Sequence, residues 1–378
     1  MKNREPKYTK QDLIDMQALP LERKIQISQT RILEWILKNG KDHVVVNFSG
    51  GKDSTVLLDL VRRIEPNIPA IFSNTGLEFP EVREFALSKP NVVVVKPELS
   101  FQKVLETIGY PLIGKDISVH IEASRRNDAG RSLKSKLRFL GRSTFIGRDG
   151  NEYKSWYDCE KWLPLLQLPI MISTKCCAII KEKPINAYQK EHKLLPIIGT
   201  MASESRRRER GWINNGCNAF DISSPRSMPL AFWTEQDILN YIRAYDIEIP
   251  SVYGQIVPTQ NSGVKSKNGV CLKCTGKQRT GCIFCGFGAH LEYRESGSNR
   301  FMKLAQTHPK LYDYCMRGGQ WVDNPAYDST LPVYDKDMPE WLNWNPKKVW
   351  TASSKGLGYK VMLDMVNSVY GKDCIPYC

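Results

Sequence analysis

Apolar residues recur at helical spacing between about residues 10 and 39, at Leu13, Met16, Leu21, Ile25, Ile32, Leu33, Ile36 and Leu37. The spacing predicts helix, interrupted near Pro20 and closed by Asn39-Gly40. Val44-Val45-Val46 then forms a β-branched run of the kind found in strands covered on both faces. Val56, Leu57, Leu60, Val61 and Ile64 return to helical spacing. Strands are predicted at 69–73, 92–95 and 195–199, and helices at 81–87, 101–108, 178–192 and 234–244, the last capped by Thr234. Strands alternating with helices predict an α/β fold with a doubly wound, mostly parallel sheet, whose ligands bind at the carboxyl ends of the strands. The rhythm is lost after Gly109-Tyr110-Pro111. Residues 111–174 are basic and rich in glycine and aromatics, and are read as an insertion or lid. Residues 258–277 are read as loop. The predicted division is a helical segment at 1–40, an α/β domain at 41–257 carrying the basic insertion, and a cysteine-rich C-terminal portion at 258–378.

The strand at Val44-Val45-Val46 runs into Asn47-Phe48-Ser49-Gly50-Gly51-Lys52-Asp53-Ser54-Thr55. Two glycines let the backbone turn tightly and approach an anion without a Cβ in the way. The following helix start supplies N–H groups and the positive end of a dipole. Lys52 adds a cation, and Ser49, Ser54 and Thr55 add hydroxyls. The arrangement predicts a pyrophosphate-binding loop for ATP or a related adenine nucleotide. A Walker loop is excluded, because it requires glycine where Val46 stands.

Composition adds charge. The net charge is +14, with clusters at Arg125-Arg126, at residues 131–142 and at Arg206-Arg207-Arg208. A surface of this sign suits a polyanion such as nucleic acid, the phosphates of a small nucleotide, or simply a solvated face. No secretory signal or membrane-length apolar run is visible, so a cytoplasmic protein without membrane contact is expected.

Eleven cysteines in that setting point to metal or redox chemistry before disulfides. Cys176-Cys177 are adjacent, and Cys271-x-x-Cys274 and Cys282-x-x-Cys285 are two CxxC units. The two units together could form a four-cysteine zinc site. Cys159, Cys217 and Cys315 stand alone and are expected to pack as small apolar residues.

Several of these segments, in order, resemble the phosphoadenosine phosphosulfate (PAPS) reductase family of the adenine-nucleotide α-hydrolase superfamily. They are the Ser-Gly-Gly-Lys-Asp-Ser loop, residues 73–81 (Ser-Asn-Thr-Gly-Leu-Glu-Phe-Pro-Glu), Cys176-Cys177 with Lys181 to Pro184, and Pro229-Leu230 with Trp233-Thr234 and Asp237. The resemblance spans roughly residues 40–110 and 170–290. It implies that Ser49, Gly50, Gly51, Lys52, Asp53, Ser54 and Thr55 hold phosphates, with Lys52, Asp53 and Ser54 catalytic. It further implies that Asn74, Thr75, Gly76 and Gly199 border the nucleotide, with Arg208 a further contact. It also implies Mg²⁺ where ATP is cleaved, and a [4Fe–4S] cluster on Cys176, Cys177, Cys282 and Cys285, with Cys271 and Cys274 as further candidate ligands; zinc is the alternative.

Within the family, three departures weigh against sulfonucleotide reduction: the basic insertion and the long cysteine-rich segment exceed what a small-molecule reductase needs, and two motifs differ. Met201 stands where the reductases carry an arginine, and no Glu-Cys-Gly-Leu/Ile-His segment is present. The resemblance therefore implies an ATP pyrophosphatase that activates nucleic acid, DNA before RNA, for phosphorothioation-type sulfur incorporation. A cysteine desulfurase or sulfur carrier and other modification-system subunits would be its partners. The alternatives are an adenylyl sulfate or PAPS reductase, a tRNA thiolation enzyme, and a non-catalytic nucleotide sensor.

Overall fold

A computed structural model of the chain describes residues 5–126, 131–147, 149–155, 158–260, 271–330, 344–371 and 374–378. The chain divides into two compact units, each built from two stretches of sequence. The first comprises Met1–Glu98 and Ile180–Cys282, and the second Leu99–Ile179 and Ile283–Cys378. These boundaries differ from the 1–40, 41–257 and 258–378 division read from the sequence. The N-terminal helices are not a separate segment, because α1 (Lys10–Gln17) and α2 (Leu21–Asn39) contribute Leu13, Ile32 and Trp35 to the core of the α/β sheet.

The first unit is built on β1 (Val44–Asn47), α3 (Lys52–Arg62), β2 (Ala70–Ser73), α4 (Pro80–Ser88) and β3 (Val92–Val95), followed by the later strands 195–198, 226–227 and 218–219. They form a six-stranded sheet in the order β3, β2, β1, 195–198, 226–227, 218–219. All neighbours are parallel except the last pair, which is antiparallel. The doubly wound α/β fold is therefore as expected. β1 lies in the middle because Val44, Val45 and Val46 are fully buried, with α3 packing Val56, Leu57, Leu60 and Val61 into the same core. The chain leaves β1 toward β2 and β3, then returns to pair 195–198 on the other side of β1, with Val46 opposite Ile197. That reversal opens a crevice at the carboxyl ends of β1 and 195–198. The glycine loop follows one strand, and Gly199 follows the other.

Two expectations are corrected. Residues 111–174, where the sequence rhythm is lost, contain regular elements: helices Lys115–Ser124 and Arg131–Phe139, a hairpin (Thr144–Ile146 with Glu152–Lys154) and a 3-10 segment, Glu160–Leu166. The first helix escaped the apolar pattern because it buries Ser118 and Ser124, and Arg125 follows it into the interior. The Arg125 guanidinium donates to the carbonyls of Ile170, Leu165 (2.6 Å) and Leu168 (3.1 Å), and burial pulls its pKa down to about 9. Arg125 and Lys136 are thus interior groups and contribute nothing to a basic surface. The second correction concerns 258–277. Strand Ile256–Thr259 pairs antiparallel with Cys271–Cys274, and residues 261–270 lie outside the described residues.

The rest of the second unit is helical around the antiparallel pair Gln320–Asp323 and Lys348–Thr351, with the helix Tyr359–Tyr370 in its core. Among the described residues no helix is long and apolar enough to cross a membrane. Cys159, Cys217 and Cys315 are buried, as expected of cysteines that pack as apolar groups.

Candidate nucleotide site

The Ser49–Thr55 turn needs both glycines. Gly50 has φ of +73°, in the left-handed region. A Cβ on Gly51 would lie 3.1 Å from the Tyr253 hydroxyl and 3.3 Å from the Thr280 hydroxyl. Helix α3 begins at Lys52, three residues earlier than its apolar pattern indicates, with Gly51 as its cap. The first turn is held by hydroxyls. Ser54 Oγ and Thr55 Oγ1 both donate to the Gly51 carbonyl, at 2.9 and 3.0 Å, and the Ser49 and Ser54 hydroxyls are 3.0 Å apart. Ser54 and Thr55 therefore shape the loop, while Ser49 lines the adjoining cleft.

Lys52 is buried, with only 2% of its side chain exposed. Its Nζ donates to the Gln278 carbonyl at 2.9 Å and pairs with Glu235 Oε1 at 3.2 Å and Asp53 Oδ1 at 3.5 Å. Its backbone N–H donates to the Tyr253 hydroxyl at 3.1 Å, and that hydroxyl lies 2.7 Å from Thr280 Oγ1. Burial opposes the Lys52 charge, but Asp53 and Glu235 outweigh it and hold the ammonium above its ordinary pKa. Asp53 goes the other way. Burial raises its carboxyl, and the attraction of Lys52 only partly offsets that rise. Asp53 Oδ1 and Glu235 Oε1 are buried without a hydrogen bond among the described residues. Both are carboxylate oxygens, the donor type a hard divalent cation such as Mg²⁺ takes, and Lys52 Nζ pairs with each of them.

Arg208, on the helix Arg206–Asn215, lies close enough to Asp53 and Arg279 for both to act on its charge, and it pairs with Glu204. Burial lowers its pKa first, and Arg279 adds to the shift. Gly199 sits against the loop's helix: a Cβ there would meet the Asp53 carbonyl at 3.3 Å. Thr75 Oγ1 donates to Glu78 Oε1 at 2.6 Å and fixes the 74–78 turn, in which Gly76 has φ of +74°. Asn74 follows β2 and donates its backbone N–H to Val95. Phe48, Ser49, Ser73, Glu78, Lys181 and Thr280 line a small cleft beside the loop. Met201 is buried in the core and offers no polar group to this cleft.

The structure thus gathers Ser49, Lys52, Asp53, Ser54, Gly199 and Arg208 around the loop. It adds Glu235, Tyr253, Gln278, Arg279 and Thr280, which received no role from the sequence. Glu235 and Tyr253 carried a signal, since each lies in a segment that resembles the family, Trp233-Thr234-Glu235 and Ile249 to Tyr253. The other three follow the second CxxC pair's predecessor and carried none.

The cysteines separate. Cys271 and Cys274 lie three apart on one strand, and a strand turns such positions to opposite faces. The zinc reading that needs both on one ion does not fit this strand. Cys274 instead packs with Leu239, Tyr253 and Leu272, where burial raises its thiol pKa and nearby Lys52 opposes the shift. Cys176 and Cys285, far apart in sequence, both lie near the buried Tyr359 hydroxyl in the second unit. Its pKa stands well above the ordinary value, first through burial and then through Cys315, Cys285 and Cys176. Among the described residues no three His, Cys, Asp or Glu side chains form a metal-binding group. His290 packs edge-on against Trp162 in the same unit and is not part of the nucleotide loop.

Known proteins similar to this chain identify its family. The phosphoadenosine phosphosulfate reductase domain matches residues 43–110 and 152–286. A phosphoadenosine 5'-phosphosulfate reductase of Xylella fastidiosa is 36% identical over 74 residues, covering 20% of this chain and 31% of the relative. An adenosine 5'-phosphosulfate reductase of Halalkalibacterium halodurans is 33% identical over 95 residues, covering 24% and 40%. The chain thus spans less than half the length of these two relatives. An adenosine 5'-phosphosulfate reductase of Staphylococcus haemolyticus is 22% identical over 65% of this chain and 75% of its own length. The crystal structure of a PAPS reductase from Candida auris is similar over 64% of this chain and 90% of its own, at 14% identity and a TM-score of 0.33.

Proposed function

Since the chain belongs to the phosphoadenosine phosphosulfate reductase domain family, we propose that its 49–55 loop binds ATP and directs cleavage between the α and β phosphates. The activated group would be a nucleic-acid oxygen, in DNA before RNA, destined for phosphorothioation-type sulfur incorporation. The observation that carries this reading is the buried Lys52 held between Asp53 and Glu235, at the helix start that follows the glycine loop. Lys52 supplies charge to the β-phosphate side of the scissile bond, and Asp53 with Glu235 would hold Mg²⁺. When bound, the metal supplies charge neutralisation on the leaving pyrophosphate. Arg208 and Arg279 add positive charge beside Asp53.

In this scheme an acceptor oxygen attacks the α-phosphorus and pyrophosphate leaves. Persulfide sulfur from a cysteine desulfurase or carrier then displaces AMP, and a second thiol frees the donor as a disulfide. Other modification-system subunits would present the acceptor. Buried Met201 supports this reading over a sulfonucleotide site, since it places no guanidinium where the anion would sit.

The names of the relatives favour a second reading, reduction of adenylyl sulfate or PAPS to sulfite. The two are separated by one pair of assays. The protein is incubated with ATP, Mg²⁺ and nucleic acid, and separately with adenylyl sulfate and thioredoxin. Pyrophosphate release is expected in the first, and Asp53→Asn should reduce it by at least about a hundredfold at limiting Mg²⁺. Sulfite in the second assay, with no pyrophosphate in the first, would establish the reductase.

We also propose, from the Cys-Cys and Cys-x-x-Cys spacing shared with the family, that Cys176, Cys177, Cys282 and Cys285 hold a [4Fe–4S] cluster. Anaerobically purified protein should contain iron and acid-labile sulfide in equal amounts. Cys285→Ser should lose both, and Cys271→Ser should keep both. Zinc without sulfide would replace the assignment.

A further inference from the structure

The family match leaves residues 111–151 uncovered, between its two matched stretches. The hairpin formed by Thr144–Ile146 and Glu152–Lys154 spans the end of that addition. Every residue of both strands is exposed. Phe145 faces Tyr153 across the pair, and their rings stack with centroids 5.8 Å apart and planes inclined by 29°. Phe145 is 47% exposed and Tyr153 45%. A soluble ribbon has no packing reason to present two flat rings to water, apart from the contact between them.

Cations flank the ribbon along the chain. Arg142 leads into the first strand, Lys154 ends the second, and Lys134 is exposed on the preceding helix. The hairpin's own carboxylates are engaged within it. Asp149 accepts from the Tyr153 hydroxyl and from Asn151, and Glu152 accepts from Thr144 Oγ1 at 2.6 Å. What remains exposed is the two rings, Ile146 and the cations, and rings with cations nearby are the combination that binds unpaired bases and tracks their phosphates. A duplex keeps its bases stacked inside and has little use for the rings.

We propose that the paired strands Thr144–Ile146 and Glu152–Lys154 are a contact for single-stranded nucleic acid, with bases stacking on Phe145 and Tyr153 and phosphates meeting the flanking Lys134, Arg142 and Lys154. This rests on the nucleic-acid acceptor proposed above and names the form in which it is taken.

The test is fluorescence anisotropy with a labelled oligothymidylate and with its duplex, on the full chain. The wild type should bind the single strand more tightly than the duplex. The double variant Phe145→Ala/Tyr153→Ala should weaken single-strand binding by at least about tenfold, with an unchanged circular dichroism spectrum. The exchange Phe145→Tyr/Tyr153→Phe should retain it. Lys154→Gln should lower the slope of log affinity against log salt by about 0.7. Single-strand binding that survives loss of both rings, or equal binding of the duplex, overturns the contact alone. No binding of either nucleic acid by the wild type defeats the acceptor reading, and this contact with it.

Discussion

Lys52→Met is expected to lower pyrophosphate release from ATP by at least about a hundredfold and to cost about 2 kcal/mol of stability at neutral pH. The catalytic loss follows from removing the cation at the phosphate loop. The stability loss follows from leaving Asp53 and Glu235 beside an apolar side chain. Breaking a fully buried pair can cost about 3–5 kcal/mol. The lower figure applies here because the two carboxylate side chains remain 29% and 37% exposed.

The destabilisation depends on pH, with a definite sign. Burial already raises the Asp53 carboxyl against the pull of Lys52. A carboxyl raised by folding holds its proton more tightly in the folded state. Its contribution to stability is present below the ordinary carboxylate pKa and is lost as pH rises through the raised value. Removing Lys52 raises Asp53 further. Urea denaturation should therefore show a larger penalty for Lys52→Met at about pH 7 than at about pH 4. An equal penalty at both would show that Lys52 does not neutralise Asp53.

Gly50→Ala should destabilise the first unit by about 2–4 kcal/mol, the sum of left-handed strain and overpacking. Its φ is +73°, and an added Cβ would lie 2.8 Å from the Val82 carbonyl and 3.1 Å from the Ala86 Cβ. Backbone on helix α4 cannot yield as a flexible side chain could, so the loop itself must shift and nucleotide affinity should fall with stability. Gly76→Ala is the matched comparison. Gly76 has nearly the same φ, +74°, yet nothing lies within 4 Å of its would-be Cβ. It should cost only about 1–2 kcal/mol, the strain by itself. Denaturation midpoints of the two variants check this directly, and equal midpoints would remove the role of the α4 contact.

The first unit was legible because its elements obey local rules. Val44-Val45-Val46 can only be satisfied by cover on both faces, and Thr234 with Asp237 forms a reciprocal cap that marks the start of the helix at Glu235. The second unit was not legible, for reasons visible in particular residues. The helix Lys115–Ser124 buries Ser118 and Ser124 beside Ile121 and Ala123 and leads to a buried arginine, so polar residues interrupt the apolar pattern of its inward face. The first unit has an exception in Cys271 and Cys274, which read as a metal pair by spacing alone, because a CxxC motif does not reveal that it will be drawn into a strand by pairing with Ile256–Thr259.

By itself, the sequence determined the loop chemistry. The order of strand, paired glycines, lysine, aspartate and hydroxyls fixes a local turn and helix start, and both depend on neighbours a few residues away. The tertiary structure alone decided what surrounds that loop. Glu235, Tyr253, Gln278 and Thr280 reach Lys52 from positions 183 to 228 residues later in the chain. Only the return of the chain to β1 brings them there, and no local pattern encodes a distance of that length. The same folding decided that Arg125 would be an interior strut and that Phe145 and Tyr153 would remain outside.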